Sequence, residues 1–237
     1  MKTYLVTGAS SGLGAAVAEA LLTECNEVVA MGRTRPEVFL RYSPPEVDFL
    51  EVNFSHETAE EISDTLVEYG TKYDGIIHCA GAEIIRPLKS ARNCRWEDGM
   101  MCARSAMGLL AAAAQGIVNP GGSVVLMSSV GAQRGTAGMV AYSAGKGAIE
   151  AMTRSAAVEL APMNIRVNAV AAGAFATPMH QRIVNKMAPS SVAAYAQKHP
   201  LGFGPVERVR DAVLFLLSDA SAWTTGTVMV VDGGFSA

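Results

Sequence analysis

The stretch "TYLVTGASSGLGAAVAEAL", residues 3–21, decides the fold. Its first five residues are mostly apolar and β-prone. From Gly12 onward the residues are small, apolar helix formers. A buried strand that turns sharply into a helix aims free backbone N–H groups outward, where the helix dipole is positive. Gly8, Gly12 and Gly14 permit the turn and let an anion approach the backbone, with Ser10, Ser11 and Leu13 between them. Alone, such a segment is only a Gly-rich turn. After the first strand of an alternating α/β chain it marks a dinucleotide site, with the pyrophosphate on the helix N-terminus.

The rest of the chain supplies that alternation. Apolar runs at 3–7, 27–31, 47–52, 75–79, 123–128, 165–170 and 227–231 read as strands, with helical patterns at 12–23, 56–69, 95–116, 139–161 and 206–218. The strands are nearly continuous in apolar residues, as strands covered on both faces should be. The expected fold class is therefore α/β, a parallel seven-stranded sheet with helices on both faces, in one domain over 1–237. The long irregular stretch at about 172–205 reads as a lid, its substrate-covering part at about 174–205.

Composition narrows the partners. Half of the 237 residues are hydrophobic, 17% are charged, and the net charge is −3. There is no basic stripe for nucleic acid and no apolar run of membrane-spanning length. The opening residues lack the pattern of a signal peptide. Cys25, Cys79, Cys94 and Cys102 have no metal-binding spacing and read as free thiols in a cytoplasmic protein. No metal is expected.

The end of the second strand, "VVAMGRTR", has no acid to receive a ribose 2′-hydroxyl. Arg33 stands there instead, followed by Thr34 and Arg35. A guanidinium at that point suits a 2′-phosphate, so NADP(H) is preferred over NAD(H).

A second constellation lies farther on. The strand in "SVVLMSS" ends at Ser129, and Tyr142 and Lys146 follow in "AYSAGKGAIEAM" (141–152). Tyr142 and Lys146 are four apart and share a helix face. A phenol ionises near pH 10, and an adjacent ammonium lowers that value. Ser129 can hold a carbonyl oxygen while Tyr142 gives it a proton. Gly145 and Gly147 are expected to clear space for a flat ring. The alternative for this set alone is a core tyrosine and a lysine reaching to solvent.

Together, TGASSGLG (7–14), Ser129 with the YxxxK pair, "NIRVNAVAAGAFATPM" (164–179) and "TTGTVMVVDGG" (224–234) resemble the short-chain dehydrogenase/reductase family over nearly the whole chain. Within it the chain resembles 3-oxoacyl-[acyl-carrier-protein] reductases. The resemblance implies a Rossmann-type doubly wound sheet and hydride transfer between NAD(P)H and a carbonyl or alcohol. It implies that Ser129, Tyr142 and Lys146 are catalytic and that Tyr142 and Lys146 also meet the nicotinamide ribose. It places Asn53 and Phe54 beside the adenine and Cys79, Ala80 and Gly81 along the dinucleotide. Gly173, Phe175 and Thr177 would lead into the lid, with backbone near Phe175 at the carboxamide. It implies a homo-oligomer, dimer or tetramer, pairing helices 95–116 and 139–161.

The chain departs from the family pattern in several places. "HCAG" (78–81) replaces NNAG, and His78 reads as a satisfied structural group. Ala103 stands where the family has an Asn belonging to a water relay that ends at the lysine. Ala172 replaces a Pro at the entry to the lid, and "PLGFG" (200–204) lacks the family's Arg. The leading expectation is an NADPH-dependent reductase of a small or carrier-bound carbonyl compound. The rivals are a dinucleotide-binding regulator or scaffold without turnover, and an alcohol dehydrogenase running the other way. Arg182, Lys186 and Lys198 could meet an acidic carrier, but a solvated face is the better reading of them.

Overall fold

The computed structural model describes residues 1–91 and 96–237. Cys94, and Arg95 at the expected start of the third long helix, lie outside them. The strands are β1 (Thr3–Thr7), β2 (Glu27–Gly32), β3 (Val47–Glu51), β4 (Tyr73–His78), β5 (Val118–Ser129), β6 (Arg166–Ala172) and β7 (Val228–Val231). They form one seven-stranded sheet in the order β3-β2-β1-β4-β5-β6-β7. Every pairing is parallel. This is the doubly wound arrangement expected from the alternation. The chain builds outward from β1 to β3, then returns to place β4 on the other side of β1. The crevice beyond the ends of β1 and β4 is thus the topological switch point, where such sheets bind ligands.

The helices in chain order are α1 (Gly12–Thr23), α2 (Ala59–Tyr69), the short α3 (Leu88–Ala91), α4 (Trp96–Ala112), α5 (Val140–Leu160), α6 (Pro178–Val184), α7 (Pro189–Ala196) and α8 (Val206–Leu217). Two cores explain the unbroken apolar strands. Leu5, Ile76, Val124, Leu126 and Val167 face α2, α4 and α5. Val6, Ile77, Val125, Met127 and Val170 lie on the opposite face, against α1 and α8. Successive strand residues point to opposite faces, so both must be apolar.

Three boundaries shift for identifiable reasons. The second helix starts at Ala59 rather than near 56 because Thr58 caps it: Glu61 N donates to Thr58 Oγ1 at 3.1 Å and Thr58 N to Glu61 Oε2 at 2.8 Å. The third long helix loses α-geometry after Ala112 and unwinds through a π-turn closed by Gly116 at φ +85°. The expected irregular stretch contains α6 and α7, each opened by a proline whose missing N–H is harmless in a first turn. No helix among the described residues is long and apolar enough to cross a membrane. Nor do the described residues group three or more His, Cys, Asp or Glu side chains to hold a metal.

Candidate active site

The Gly-rich turn and the end of β4 meet at the switch point. A Cβ on Gly8 would lie 2.9 Å from the Ala80 backbone, and one on Gly14 would lie 2.3 Å from the Gly8 carbonyl. Those glycines let strand, helix and turn close on one another. Gly8 and Gly12 also hold positive φ values of 67° and 57°, which side-chain-bearing residues adopt at a cost. Ser11, the N-cap of α1, makes no side-chain cap bond, and the first turn carries no acid. The N–H groups there remain open to an anion. A cradle that a Cβ would fill, beneath an uncapped helix end, fits a dinucleotide pyrophosphate.

A single cleft of about 1120 Å³ runs from this turn across the sheet edge. Ser10, Leu13, Arg33, Thr34, Asn53 and Phe54 line one end of it. Arg33 and Thr34 are exposed, while the Phe54 ring is buried in the core. Cys79, Ala80 and Gly81 form the floor, and Gly173, Phe175 and Thr177 the wall leading to α6. Every residue expected at the site therefore borders one space. Thr177 caps α6, accepting from His180 N at 3.2 Å. Its methyl carbon would be 3.4 Å from a Cβ on Gly12, so the start of α6 sits against the Gly-rich turn. Ala172, lacking the proline's stiffness, is held by the ladder, paired with Ser129 on one side and Val231 on the other.

Ser129, Tyr142 and Lys146 converge at the other end of the cleft. Lys146 is 7% exposed, and its ammonium donates to the Met127 carbonyl at 2.7 Å. It stands 5.9 Å from the centre of the Tyr142 ring. Ser129 Oγ accepts from Gly131 N at 3.1 Å, which fixes the hydroxyl at the strand end. The phenol corrects a simple expectation. Burial raises the Tyr142 pKa above its ordinary value, although Lys146 and the Ser129 hydroxyl both pull it down; Glu83 pushes it further up. Desolvation of the phenolate outweighs the ammonium. In the protein alone Tyr142 thus holds its proton at neutral pH, as a proton donor must.

Gly145 does not clear room for a ring. A Cβ on it would sit 2.2 Å from the Gly99 carbonyl and 3.3 Å from Cys102 Sγ. Its role is to let α5 press against α4. Gly147 has nothing within 4 Å of its Cβ position.

His78 is a structural group, as expected, and replaces the family's polar contact with one of its own. Its Nε2 lies 3.0 Å from the Cys102 carbonyl and 3.0 Å from Ser105 Oγ; its Nδ1 lies 2.7 Å from Thr7 Oγ1. A carbonyl can only accept, so Nε2 carries the hydrogen and Nδ1 accepts from Thr7. Thr7 Oγ1 in turn accepts from Ala80 N at 3.0 Å. The network ties β1, the end of β4 and α4 together beneath the cleft. Burial pushes the His78 pKa down to about 4, so the ring is neutral at physiological pH. Cys79 is pushed up to about 12 by burial and is an unreactive thiol.

Several cleft residues carried no sequence signal. Glu83, Met139, His180, Tyr195 and Phe235 come from four separate segments. The C-terminal turn packs against the segment that follows α7. Asp232 accepts from Gly234 N at 2.9 Å and Ser236 N at 2.8 Å. Phe235 then stacks on His199, with ring centres 4.7 Å apart. Arg182 and Lys186 are exposed at the cleft's mouth, and Lys198 is exposed away from it.

Residues 8–236 match a family model described as enoyl-(acyl carrier protein) reductase. The chain is 31% identical to a cyclopentanol dehydrogenase of Comamonas sp., covering 100% of this chain and 97% of that protein. It is 34% identical to the L-xylulose reductase of Bos taurus, covering 98% and 96%. A crystal structure from Agrobacterium tumefaciens, described as a 2-deoxy-D-gluconate 3-dehydrogenase with bound NADP, superposes with a TM-score of 0.86 at 26% identity, covering 99% and 96%. With the switch-point cleft and its glycine cradle, these likenesses establish that the chain belongs to the short-chain dehydrogenase/reductase family.

Proposed function

We propose that this protein is an NADPH-dependent carbonyl reductase. As a short-chain dehydrogenase/reductase it is an oxidoreductase acting on CH–OH/C=O groups. The observation that carries this reading is the meeting of Ser129, Tyr142 and Lys146 in the same cleft as the glycine cradle. Tyr142 is half-buried beside Lys146, 5.9 Å from its ammonium to the ring centre, and its phenol keeps its proton at neutral pH. The Ser129 hydroxyl holds the substrate's carbonyl oxygen, and the Tyr142 phenol delivers a proton to it. Lys146 steadies the negative charge left on the phenol. A reduced nicotinamide, when bound along this cleft, would supply the hydride. The glycine cradle would hold its pyrophosphate, and Arg33 would hold a 2′-phosphate. The lid excludes water.

Naming of the bovine relative as a reductase supports this direction. Alcohol oxidation is the second reading, supported by the Comamonas relative named a dehydrogenase. Both carrier-bound and free carbonyl compounds fall within the proposal. The regulator reading loses support because all three polar groups meet in one cleft.

The deciding experiment follows NADPH absorbance with a panel of ketones and diketones, beside NADPH binding by fluorescence. Turnover of at least one carbonyl is expected. Tight NADPH binding with no oxidation by any of them would favour a regulator.

We also propose a homo-oligomer, a dimer or tetramer built on α4 and α5. Met107 on α4 is 48% exposed, and Val140 and Val158 on α5 are 51% and 77% exposed. Apolar side chains left in water on paired helices suit a partner subunit. A sedimentation mass of one subunit at micromolar concentration would sink this.

A further inference from the structure

The backbone that leaves β6 forms one wall of the cleft, at Gly173, Ala174 and Phe175. Ala172 pairs with Ser129, so this wall begins beside Ser129. Most of its backbone groups are taken. Gly173 N donates to the Val231 carbonyl at 2.9 Å, Ala176 N to the Gly204 carbonyl at 2.9 Å, and Gly204 N to the Ala174 carbonyl at 3.1 Å. Ala174 N donates to a side chain, His199 Nε2, at 3.4 Å. The Phe175 N–H has no acceptor among the described residues. In a parallel bridge such as Phe175–Gly204 the flanking residues carry the bonds, so the N–H of Phe175 itself points away from Gly204.

His199 stands behind that wall, 3% exposed and not bordering the cleft. Its Nδ1 lies 3.2 Å from the Tyr195 carbonyl in the last turn of α7. A carbonyl only accepts, so Nδ1 carries the hydrogen and Nε2 offers the lone pair that the Ala174 N–H needs. Phe235 stacks on the ring at 4.7 Å, and Tyr195 and Phe203 meet it edge-on at 5.2 and 5.3 Å. With both nitrogens bonded and rings packed around it, the imidazole has one orientation. It joins the exit of β6, α7 and the C-terminal turn.

We propose that His199 is a positioning residue for the nicotinamide: by accepting from the Ala174 N–H it fixes the wall so that the Phe175 N–H faces the cleft and donates to the carboxamide oxygen. The hydride has to reach a carbonyl carbon whose oxygen lies at Ser129 and Tyr142. The nicotinamide must therefore lie against the backbone that begins beside Ser129. His199 itself touches neither cofactor nor substrate and acts through Ala174. This rests on the dinucleotide reading of the cleft, and not on the direction of the reaction or the choice of substrate.

The test compares NADPH with 2′-phospho-ADP-ribose, the same molecule without the nicotinamide ring. Dissociation constants are measured by fluorescence titration and displacement for wild type, His199→Asn and His199→Gln, with thermal unfolding to show that each is folded. An Asn amide at 199 reaches only as far as Nδ1 and keeps the donor to Tyr195. A Gln carbonyl oxygen reaches as far as Nε2 and keeps the acceptor for Ala174. Wild type should bind NADPH more tightly than the fragment. His199→Asn should lose about three- to tenfold in NADPH affinity, the worth of one neutral hydrogen bond, and hardly any affinity for the fragment. His199→Gln should recover most of the loss. Equal losses for NADPH and the fragment would make His199 merely structural and overturn the proposal. So would a wild type that binds both alike, unchanged NADPH affinity in His199→Asn, or a Gln variant no better than the Asn one. If neither His199 variant folds, Ala174→Pro, which removes the N–H and leaves His199 in place, must show the same selective loss or the proposal fails. Should NADH bind in place of NADPH, ADP-ribose replaces the fragment and the comparison is unchanged. Binding of neither dinucleotide would instead remove the dinucleotide reading on which this depends.

Discussion

His78 and Cys102 are joined across the β4–α4 boundary, imidazole Nε2 donating to the backbone carbonyl at 3.0 Å. The ring is fully enclosed and its pKa falls to about 4 from the ordinary 6.5. In the unfolded chain it takes a proton as pH drops below 6.5; in the fold it does not until about 4. A buried neutral histidine thus holds its stability contribution above pH 6.5 and loses it as pH falls toward 4. The full loss is about 3 kcal/mol, from a shift of about 2.5 pKa units. Urea unfolding of wild type and His78→Asn at pH 7 and pH 4.5 checks this. The variant is expected to be less stable at pH 7 and to lose less on acidification.

Removing the phenol hydroxyl with Tyr142→Phe should abolish nearly all turnover, because no other group in the cleft is placed to deliver that proton. NADPH affinity should stay within a few-fold, since the ring still packs. Lys146→Ala should weaken both. Steady-state kinetics with fluorescence titration separates the two effects; substantial turnover by Tyr142→Phe would reassign the donor.

Cofactor choice is expected to rest on Arg33, exposed at the cleft edge with no acid at the end of β2. Arg33→Ala should lower NADPH affinity by roughly 10- to 150-fold, one charge-assisted bond being worth about 1.5–3 kcal/mol. NADH affinity should barely change. An equal loss for both would make Arg33 a structural residue.

Two glycines of α5 on either side of Lys146 should behave oppositely. Gly145→Ala drives a Cβ to 2.2 Å from the Gly99 backbone carbonyl. Overpacking of that kind costs about 1–3 kcal/mol or more, and shifts the helix that carries Lys146. Gly147→Ala meets nothing within 4 Å, and should stabilise by about 0.5–1 kcal/mol through helix propensity. Thermal unfolding of the pair reads the difference directly.

Ala103 is 4% exposed and packed in the core. The neighbouring Cys102 carbonyl is already taken by His78, and Ser105 Oγ donates to the Met101 carbonyl at 2.9 Å. An amide inserted by Ala103→Asn would find these partners engaged. A stability loss of about 1–3 kcal/mol is expected, with little gain in turnover. A large gain at unchanged stability would show a site weakened by one lost residue.

The strands, most helix limits and the glycine cradle were legible in the linear sequence because each is a local pattern. Leu5 and Val6 must both be apolar when two faces are covered, and Gly8 must lack a side chain where backbones touch. The spacing of Tyr142 and Lys146 on one helix is local too. Tertiary structure decided the rest. Glu83, Tyr195 and Phe235 reach one cleft from segments more than a hundred residues apart at the extremes. No periodicity records that meeting. Gly145 looks the same in sequence whether it faces a ligand or a helix, and only the nearby Gly99 carbonyl distinguishes them. The Tyr142 pKa depends on burial competing with Lys146, a balance set by surrounding atoms rather than by spacing. Local chemistry wrote the candidate residues into the chain; their protonation, packing and partners came from how the distant segments close over them.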